Sequence, residues 1–159
     1  MIKVLFVCLG NICRSPMAEG IFKQLIQEKR LTDKICCDSA GTSNYHIGDL
    51  PDHRMRSTAR KYDIDLTHRA RQLAGTDFEA FDYIIAMDES NHATIITHTK
   101  WKDSYADKLV YMRQYDPIPG NMNVPDPYFG GQQGFEKVYQ MLLKANTQFL
   151  NYLIEKHQL

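Results

Sequence analysis

The chain begins with a short apolar run that strongly limits its possible folds. Residues 2–7 read Ile-Lys-Val-Leu-Phe-Val, a pattern typical of a strand buried on both faces of a parallel sheet. After a loop, Ser15-Pro16 predicts a helix N-cap followed by proline at the first helical position. The helix then carries an apolar stripe, formed by Ala18, Ile21, Phe22, Leu25 and Ile26. A buried strand leading into an amphipathic helix predicts helices packed on a sheet.

The alternation of strands and helices continues along the chain. Apolar runs predict further strands at residues 34–39, 83–87 and 109–112, and residues 70–73 are an additional candidate for a short strand. Helices are predicted to open near Pro51 and after Asp88, and a long final helix turns an apolar face inward through Phe135, Val138, Leu142, Phe149, Leu153 and Ile154. The alternation predicts one domain, residues 1–159, with a three-layer α/β fold around a doubly wound parallel sheet of about four strands.

Composition excludes several classes of function. Lys plus Arg equals Asp plus Glu at 19 each, so no bulk charge favours nucleic acid or an anionic membrane, and anion binding must be local. No apolar run reaches the ~20 residues of a membrane span, and Val7 is not a small signal-cleavage residue. Four cysteines with no CxxC pair do not form a secreted disulfide scaffold. We therefore expect a cytoplasmic protein with reduced thiols.

The loop after the first strand reads Cys-Leu-Gly-Asn-Ile-Cys-Arg-Ser from Cys8 to Ser15. A cysteine there could be a core thiol, a metal ligand, half of a disulfide or a nucleophile. Ligands of such folds bind beyond the carboxyl ends of the strands, where free amides of a helix N-terminus attract anions. Gly10 permits close backbone approach, and Asn11 tolerates left-handed conformations. This position, beside Arg14, favours the thiolate of Cys8 and a nucleophilic role.

Two neighbours of Cys8 suit a phosphate ligand. Arg14 offers a planar fork that matches two phosphate oxygens, and Ser15 can donate its hydroxyl toward the sulfur. The nucleotide-binding pattern GxxxxGK[ST] is absent, and no His or Cys pair lies at the spacing of a zinc site.

The segment Cys8-Leu-Gly-Asn-Ile-Cys-Arg-Ser-Pro resembles the signature loop of the low-molecular-weight protein tyrosine phosphatases. Further segments agree in the family's order, and together they span nearly the whole chain: Asp38-Ser39-Ala40-Gly41-Thr42-Ser43, His68-Arg69-Ala70-Arg71-Gln72, Phe81-Asp82-Tyr83-Ile84, Met87-Asp88-Glu89-Ser90-Asn91 and Asp126-Pro127-Tyr128. The resemblance implies a flavodoxin-like strand order with a phosphate loop after the first strand.

The same resemblance implies a mechanism without cofactor or metal. Cys8 would attack phosphotyrosine in a protein substrate, Arg14 would clamp the phosphate, and Asp126 would act as general acid and then as general base. Taken alone, Asp126 between two prolines could be turn chemistry. The phosphate or another oxyanion would lie in a loop of Leu9, Gly10, Asn11, Ile12, Cys13 and Ser15.

Supporting roles also follow from the resemblance. Asn11, Ser39 and His68 are expected to form a hydrogen-bond network that holds the loop, although His68 alone could be a solvated histidine. Asp88 could cap the following helix or support the loop. The aromatic residues expected to wall the substrate pocket are Tyr45, Tyr128 and Phe129.

Several alternatives stay open. Arsenate reductases share the loop but need cysteines in the middle of the chain, and protein-arginine phosphatases typically have Thr where this loop has Ile12. A non-catalytic phosphotyrosine-binding module is a third possibility. Cys13 could form a reversible disulfide with Cys8. The cluster Arg54, Arg56, Arg60 and Lys61 either recruits acidic substrates or is a solvated helix face, and we expect a monomer or weak dimer.

Overall fold

A four-stranded parallel sheet forms the centre of the molecule. The structure, a computed structural model, describes residues 1–116 and 120–159, apart from the side chain of Phe129. Its strands are β1 (Ile2–Cys8), β2 (Ile35–Gly41), β3 (Tyr83–Ala86) and β4 (Leu109–Tyr111). They lie in the order β2-β1-β3-β4, and β1 pairs in register with β2 from Ile2↔Ile35 to Cys8↔Gly41. This is the predicted flavodoxin-like arrangement.

Helices cover both faces of the sheet. They are α1 (Arg14–Glu28), α2 (His53–Arg60), α3 (Asp77–Ala80), α4 (Glu89–Ile96) and α5 (Gly131–His157), with 3-10 turns at Asp103–Lys108, Met112–Tyr115 and Pro127–Phe129. On one face, Phe22 of α1 packs between Phe6 and Phe149 with ring centroids 5.5 Å apart in each pair. On the other face, Phe78 of α3 joins Leu5, Val7 and Ile84 in a second apolar cluster. The three-layer prediction is therefore confirmed.

Two local predictions are wrong. Residues 70–73 form no strand: Gln72 makes only an isolated bridge to Gly41, and backbone bonds from this segment go to the end of β2 and to the loop around Gly48. Ser15 is not an N-cap either. Helix α1 begins at Arg14, and Cys13 is at its N-cap position without a side-chain cap bond. Pro16 is tolerated in the first turn because a proline there leaves no orphan N–H.

The strand order places the loop between β1 and α1 at a ligand-binding position. From β1 the chain passes to β2, which forms one edge of the sheet. It then returns to β3 and β4, which lie on the other side of β1. The loop leaves the carboxyl end of β1 at this point of reversal, where open α/β sheets bind ligands. Among residues 1–116 and 120–159, no helix has the length and apolar character to cross a membrane.

Candidate active site

Cys8 lies at the end of β1 with its sulfur held by two neighbours. The residue is 2% exposed, its Sγ is 3.0 Å from Ser15 Oγ, and it accepts the backbone N–H of Asn11 at 3.3 Å. Because Ser15 Oγ already accepts from Asn11 Nδ2 at 2.7 Å, its own hydrogen is free to point at the sulfur. The hydroxyl that was predicted to cap the helix therefore faces the thiol instead.

Asn11 joins the loop to the rest of the site. Its φ of 58° is left-handed, as the sequence predicted, and the residue is 1% exposed. Its amide nitrogen donates to Ser15 and Ser39, and its Oδ1 accepts from His68 Nε2 at 2.8 Å and from the backbone N–H of Arg71 at 3.0 Å. Both donors and both acceptor positions of the amide are used, so Asn11 has one favourable orientation.

A buried carboxylate that the sequence analysis missed completes this network. Glu19 of α1 is 4% exposed, accepts from Ser39 Oγ at 2.6 Å and lies 3.3 Å from His68 Nδ1. Asp38 Oδ1 lies 3.4 Å from the same nitrogen. The sequence does contain an indication that Glu19 is buried near the loop. Glu19 lies four residues after Ser15, on the helix face that the apolar stripe buries.

The same residues have the geometry of a cation site. Ligating atoms of Glu19, Asp38 and His68 lie within 4.8 Å of one another. However, Lys23 bonds Glu19 at 2.6 Å and Arg71 bonds Asp38 at 3.1 Å, so protein cations already neutralise both carboxylates. The arrangement is better suited to holding His68 and Ser39 in place than to binding a metal.

Arg14 is buried beside the thiol, with 3% of its surface exposed. Its Nη1 donates to Asp88 Oδ2 at 2.6 Å and to the carbonyl of Val124 at 3.0 Å. Burial alone would lower the pKa of Arg14, but the negative charges of Cys8, Asp88 and Asp126 raise it above its ordinary value. The guanidinium is thus a permanent, oriented cation next to the sulfur.

Asp88 combines the two roles that the sequence left open. Its Oδ1 accepts the backbone N–H of Asn91 at 2.7 Å and caps α4, while its Oδ2 binds Arg14. One carboxylate therefore fixes both the start of a helix and the direction of the guanidinium.

Asp126 approaches Arg14 from a separate segment of the chain. Its Oδ2 lies 3.8 Å from Arg14 Nη2, and its Oδ1 accepts the backbone N–H of Tyr128 at 3.0 Å. The side chain is 43% exposed and is therefore accessible to solvent. A backbone bond from Val124 to the carbonyl of Met87, at 2.7 Å, attaches this segment to the end of β3.

These groups line a cavity of about 160 Å³. Its wall contains the loop, two aromatic residues and the carboxylate, namely Cys8, Leu9, Gly10, Ile12, Cys13, Arg14, Tyr45, His46, Asp126 and Tyr128. Tyr45 is 72% exposed at the mouth, and the predicted wall residue Phe129 lies outside the described side chains. His46, which the sequence analysis missed, lies over the loop, only 3.1 Å from where a Cβ at Gly10 would be.

Cys13 shares the cavity but differs from Cys8 in its surroundings. It is 5% exposed and has no disulfide partner in this structure. Burial, followed by the negative charges of Asp52 and Cys8, raises the pKa of Cys13 well above its ordinary value. Cys13 therefore remains a thiol across the usual pH range.

Comparison with known proteins gives one consistent result. The family model described as low molecular weight phosphotyrosine protein phosphatase matches residues 3–159. A Synechocystis relative of this family is 46% identical over 151 residues, covering 95% of this chain and 96% of the relative. The Mus musculus low molecular weight phosphotyrosine protein phosphatase is 42% identical over 148 residues, covering 93% of each.

A solved structure agrees over the complete chain. The crystal structure of a protein tyrosine phosphatase from Entamoeba histolytica, with Hepes in its active site, superposes with a TM-score of 0.92 at 40% identity and covers 100% of both chains. Together with the loop geometry, these matches show that the chain belongs to the low molecular weight phosphotyrosine protein phosphatase family.

Proposed function

We propose that this protein hydrolyses phosphotyrosine in protein substrates through a phosphocysteine intermediate. The single observation that carries the proposal is the convergence on one cavity of a sulfur that two hydrogen-bond donors face, a buried arginine and a half-exposed carboxyl. Positive charge for the transferring phosphoryl group comes from Arg14 and the loop amides, so the proposed reaction uses no cofactor or metal.

In the first step, the Cys8 thiolate attacks phosphorus in line with the phenolic oxygen. An S–P bond forms and the P–O bond to the tyrosine breaks. A phenol has a pKa of ~10, so its departure as phenolate is unfavourable without a proton. Asp126, entering this step as the carboxylic acid, supplies that proton and becomes a carboxylate.

In the second step, water hydrolyses the phosphocysteine. Asp126, now a carboxylate, accepts a proton from the water as its oxygen bonds to phosphorus. The S–P bond breaks, inorganic phosphate leaves, and the thiolate is again stabilised by Ser15 and the Asn11 N–H. Arg14 balances the charge on the equatorial oxygens in both steps.

The cavity supports tyrosine over shorter phosphorylated side chains. Cys8 is buried at 2% exposure, whereas the aromatic side chains of Tyr45 and Tyr128 are 72% and 43% exposed around the opening. A phenyl ring is long enough to reach the sulfur while it packs against these aromatic walls, and phosphoserine is not. Ile12 in the cavity wall favours phosphotyrosine over phosphoarginine.

Further proposals follow for the protein as a whole. Residues 1–159 act as one catalytic domain, in the cytoplasm, as a monomer or weak dimer, on phosphotyrosine-containing proteins. Four free cysteines are suited to a reducing compartment. Peroxide could convert the Cys8 and Cys13 thiols to a reversible disulfide and water. Recovery of wild-type activity by added thiol, with irreversible loss in Cys13→Ser, supports this, and equal recovery in both proteins refutes it.

The test of the main proposal is phosphate release from a phosphotyrosine peptide in reducing buffer with chelator. Cys8→Ser is expected to abolish turnover, whereas Cys36→Ser, a matched change on β2, is expected to retain it. Phosphoserine and phosphoarginine peptides and arsenate serve as competing substrates. Tyrosine-selective turnover that needs Cys8 supports the proposal. Turnover that survives Cys8→Ser, or preference for another substrate, contradicts it, and binding without turnover favours a phosphotyrosine-binding module.

A further inference from the structure

Arg54, at the start of α2, lies in an environment unlike that of a solvated helix face. Its guanidinium binds Asp52 with both arms of its fork, Nε to Oδ1 at 3.1 Å and Nη2 to Oδ2 at 3.0 Å. The Asp52 side chain is 9% exposed, and its Oδ1 also caps α2 by accepting the backbone N–H of Arg54. The fork fixes the plane and direction of the guanidinium, and its charge is neutralised.

The same guanidinium contacts two aromatic rings. Its central carbon lies 4.7 Å from the ring centroid of Phe135, which is fully buried on α5, and 5.3 Å from that of Tyr128. Tyr128 is 43% exposed and lines the cavity. Both distances lie within the range of a cation–π interaction. Arg54 therefore connects a half-exposed aromatic ring to a ring of the buried core.

A short covalent path joins Tyr128 to the carboxyl of Asp126. Tyr128 lies in the 3-10 turn Pro127–Phe129, and Asp126 is the N-cap of that turn, where its Oδ1 accepts the backbone N–H of Tyr128. Asp52, at the other end of the arginine contact, donates its backbone N–H to the carbonyl of Ile12 in the phosphate loop at 2.8 Å. The pair Asp52–Arg54 thus lies between the loop with the nucleophile and the turn with the carboxyl.

We propose that Arg54 is a positioning residue for the leaving-group side of the reaction: by contact with Tyr128 and Phe135, and anchored by Asp52, it holds the Asp126 turn at its working distance from the phosphate loop. The inference rests on the proposed role of Asp126 as general acid. Arg54 is not among the residues that line the cavity, so its effect on activity passes through Tyr128.

A comparison of substrates with different leaving groups distinguishes a positioning role from a merely structural one. General loss of structure would lower activity on both substrates equally. Nitrophenyl phosphate expels a good leaving group and needs little proton donation, whereas phenyl phosphate needs the general acid. Because kcat also includes hydrolysis of the phosphocysteine, a step common to both substrates, the comparison uses kcat/KM. Because displacement of a catalytic group by about 1 Å can cost ~100-fold, we expect Arg54→Met to lower kcat/KM on phenyl phosphate about tenfold. On nitrophenyl phosphate the loss should be about twofold or less.

The controls separate position from charge and from stability. Arg56→Met changes a second arginine of α2, whose Nε bonds the Pro51 carbonyl, and should leave kcat/KM on both substrates unchanged. Arg54→Lys keeps the charge but lacks the fork, and should resemble Arg54→Met. Thermal unfolding of each variant shows whether lost activity merely follows lost fold.

A double-mutant cycle tests the path through Tyr128. If Arg54 acts by holding Tyr128, then Arg54→Met should have little further effect on kcat/KM for phenyl phosphate when Tyr128→Ala is already present. Full additivity of the two losses overturns the inference, as does an equal loss on both substrates.

Asp126→Asn is the reference that distinguishes the two proposals. It should show the same leaving-group selectivity as Arg54→Met, but larger. If Asp126→Asn shows none, the general-acid role in the proposed function is wrong. If Asp126→Asn shows it and Arg54→Met does not, only the positioning role of Arg54 is wrong.

Discussion

Arg14 and Asp88 form a partly buried ion pair, with Nη1 2.6 Å from Oδ2, between residues 74 positions apart in the chain. The other oxygen of Asp88 caps α4. Orientation of the guanidinium and the start of a helix therefore depend on a single side chain.

Replacement of Asp88 should separate these two roles. Asn caps helices about as well as Asp, so Asp88→Asn loses the charge pairing but keeps the cap. We expect kcat/KM on a phosphotyrosine peptide to fall about tenfold, because Arg14 loses its orienting partner, with about 1–3 kcal/mol less unfolding free energy. Asp88→Ala should lose about 1 kcal/mol more, from the missing cap. Equal stability of the two variants would contradict the capping role of Asp88. An unchanged kcat/KM in Asp88→Asn would contradict its role in orienting Arg14.

Asn11 should be sensitive to backbone strain as well as to lost hydrogen bonds. Asn11→Gly and Asn11→Ala both remove the four side-chain bonds, but only alanine is disfavoured at a φ of 58°. We expect both variants to lose activity, and the alanine variant to be less stable than the glycine variant by about 1 kcal/mol. Urea unfolding measures the difference. Equal stabilities would mean that the loop relaxes out of the left-handed conformation.

Removal of the proposed proton donor, Asp126, should lower activity without unfolding the protein. Asp126→Asn is expected to lower kcat on phosphotyrosine by about 10²–10⁴-fold, because the phenolate then leaves without a proton. Its unfolding free energy should change little, since Asn can still accept the Tyr128 N–H. Asp107→Asn, an exposed carboxylate in a 3-10 turn, is the control that should retain activity. An equal kcat for Asp126→Asn and wild type would assign the proton transfer to another group.

His92 predicts a pH dependence of stability. It stacks on Tyr111 with centroids 4.6 Å apart, and burial lowers the pKa of His92 below its ordinary value of 6.5. His92 is therefore protonated more readily in the unfolded chain than in the folded protein. As a result, the free energy of unfolding is greater above pH 6.5 and decreases as the pH falls below that value. His92→Phe keeps a ring and removes the titration. Urea unfolding between neutral and mildly acidic pH should show wild type losing stability relative to His92→Phe. Parallel curves would exclude this contribution.

Sequence patterns predicted those features of the fold and site that depend only on residues close together in the chain. Buried apolar runs located the four strands, and the tolerance of asparagine for left-handed backbone predicted the conformation of Asn11. The N-cap prediction for Ser15 was wrong because its hydroxyl has tertiary partners, Cys8 and Asn11, that outcompete the helix end.

The residues that sequence analysis missed act through contacts between distant segments. Glu19 supports the site only because β2 brings Ser39 within 2.6 Å, 20 positions away. The sequence placed Arg54 in a surface cluster of basic residues. Nothing in the sequence of α2 indicates that Asp52 holds Arg54 against the rings of Tyr128 and Phe135, which come from two other segments. Such roles depend on the assembled fold rather than on spacing.

The distant partners of Arg14 have a consequence for synthesis of the chain. The proposed nucleophile and its loop lie in the first 15 residues, but the Arg14 guanidinium is oriented by Asp88 and by the carbonyl of Val124, 110 positions further on. A growing chain therefore contains the Cys8 thiol long before both partners of Arg14 have been synthesised. If Arg14 acts as proposed, activity regained during refolding should report docking of the segments around Asp88 and Val124 rather than formation of the first strand and helix.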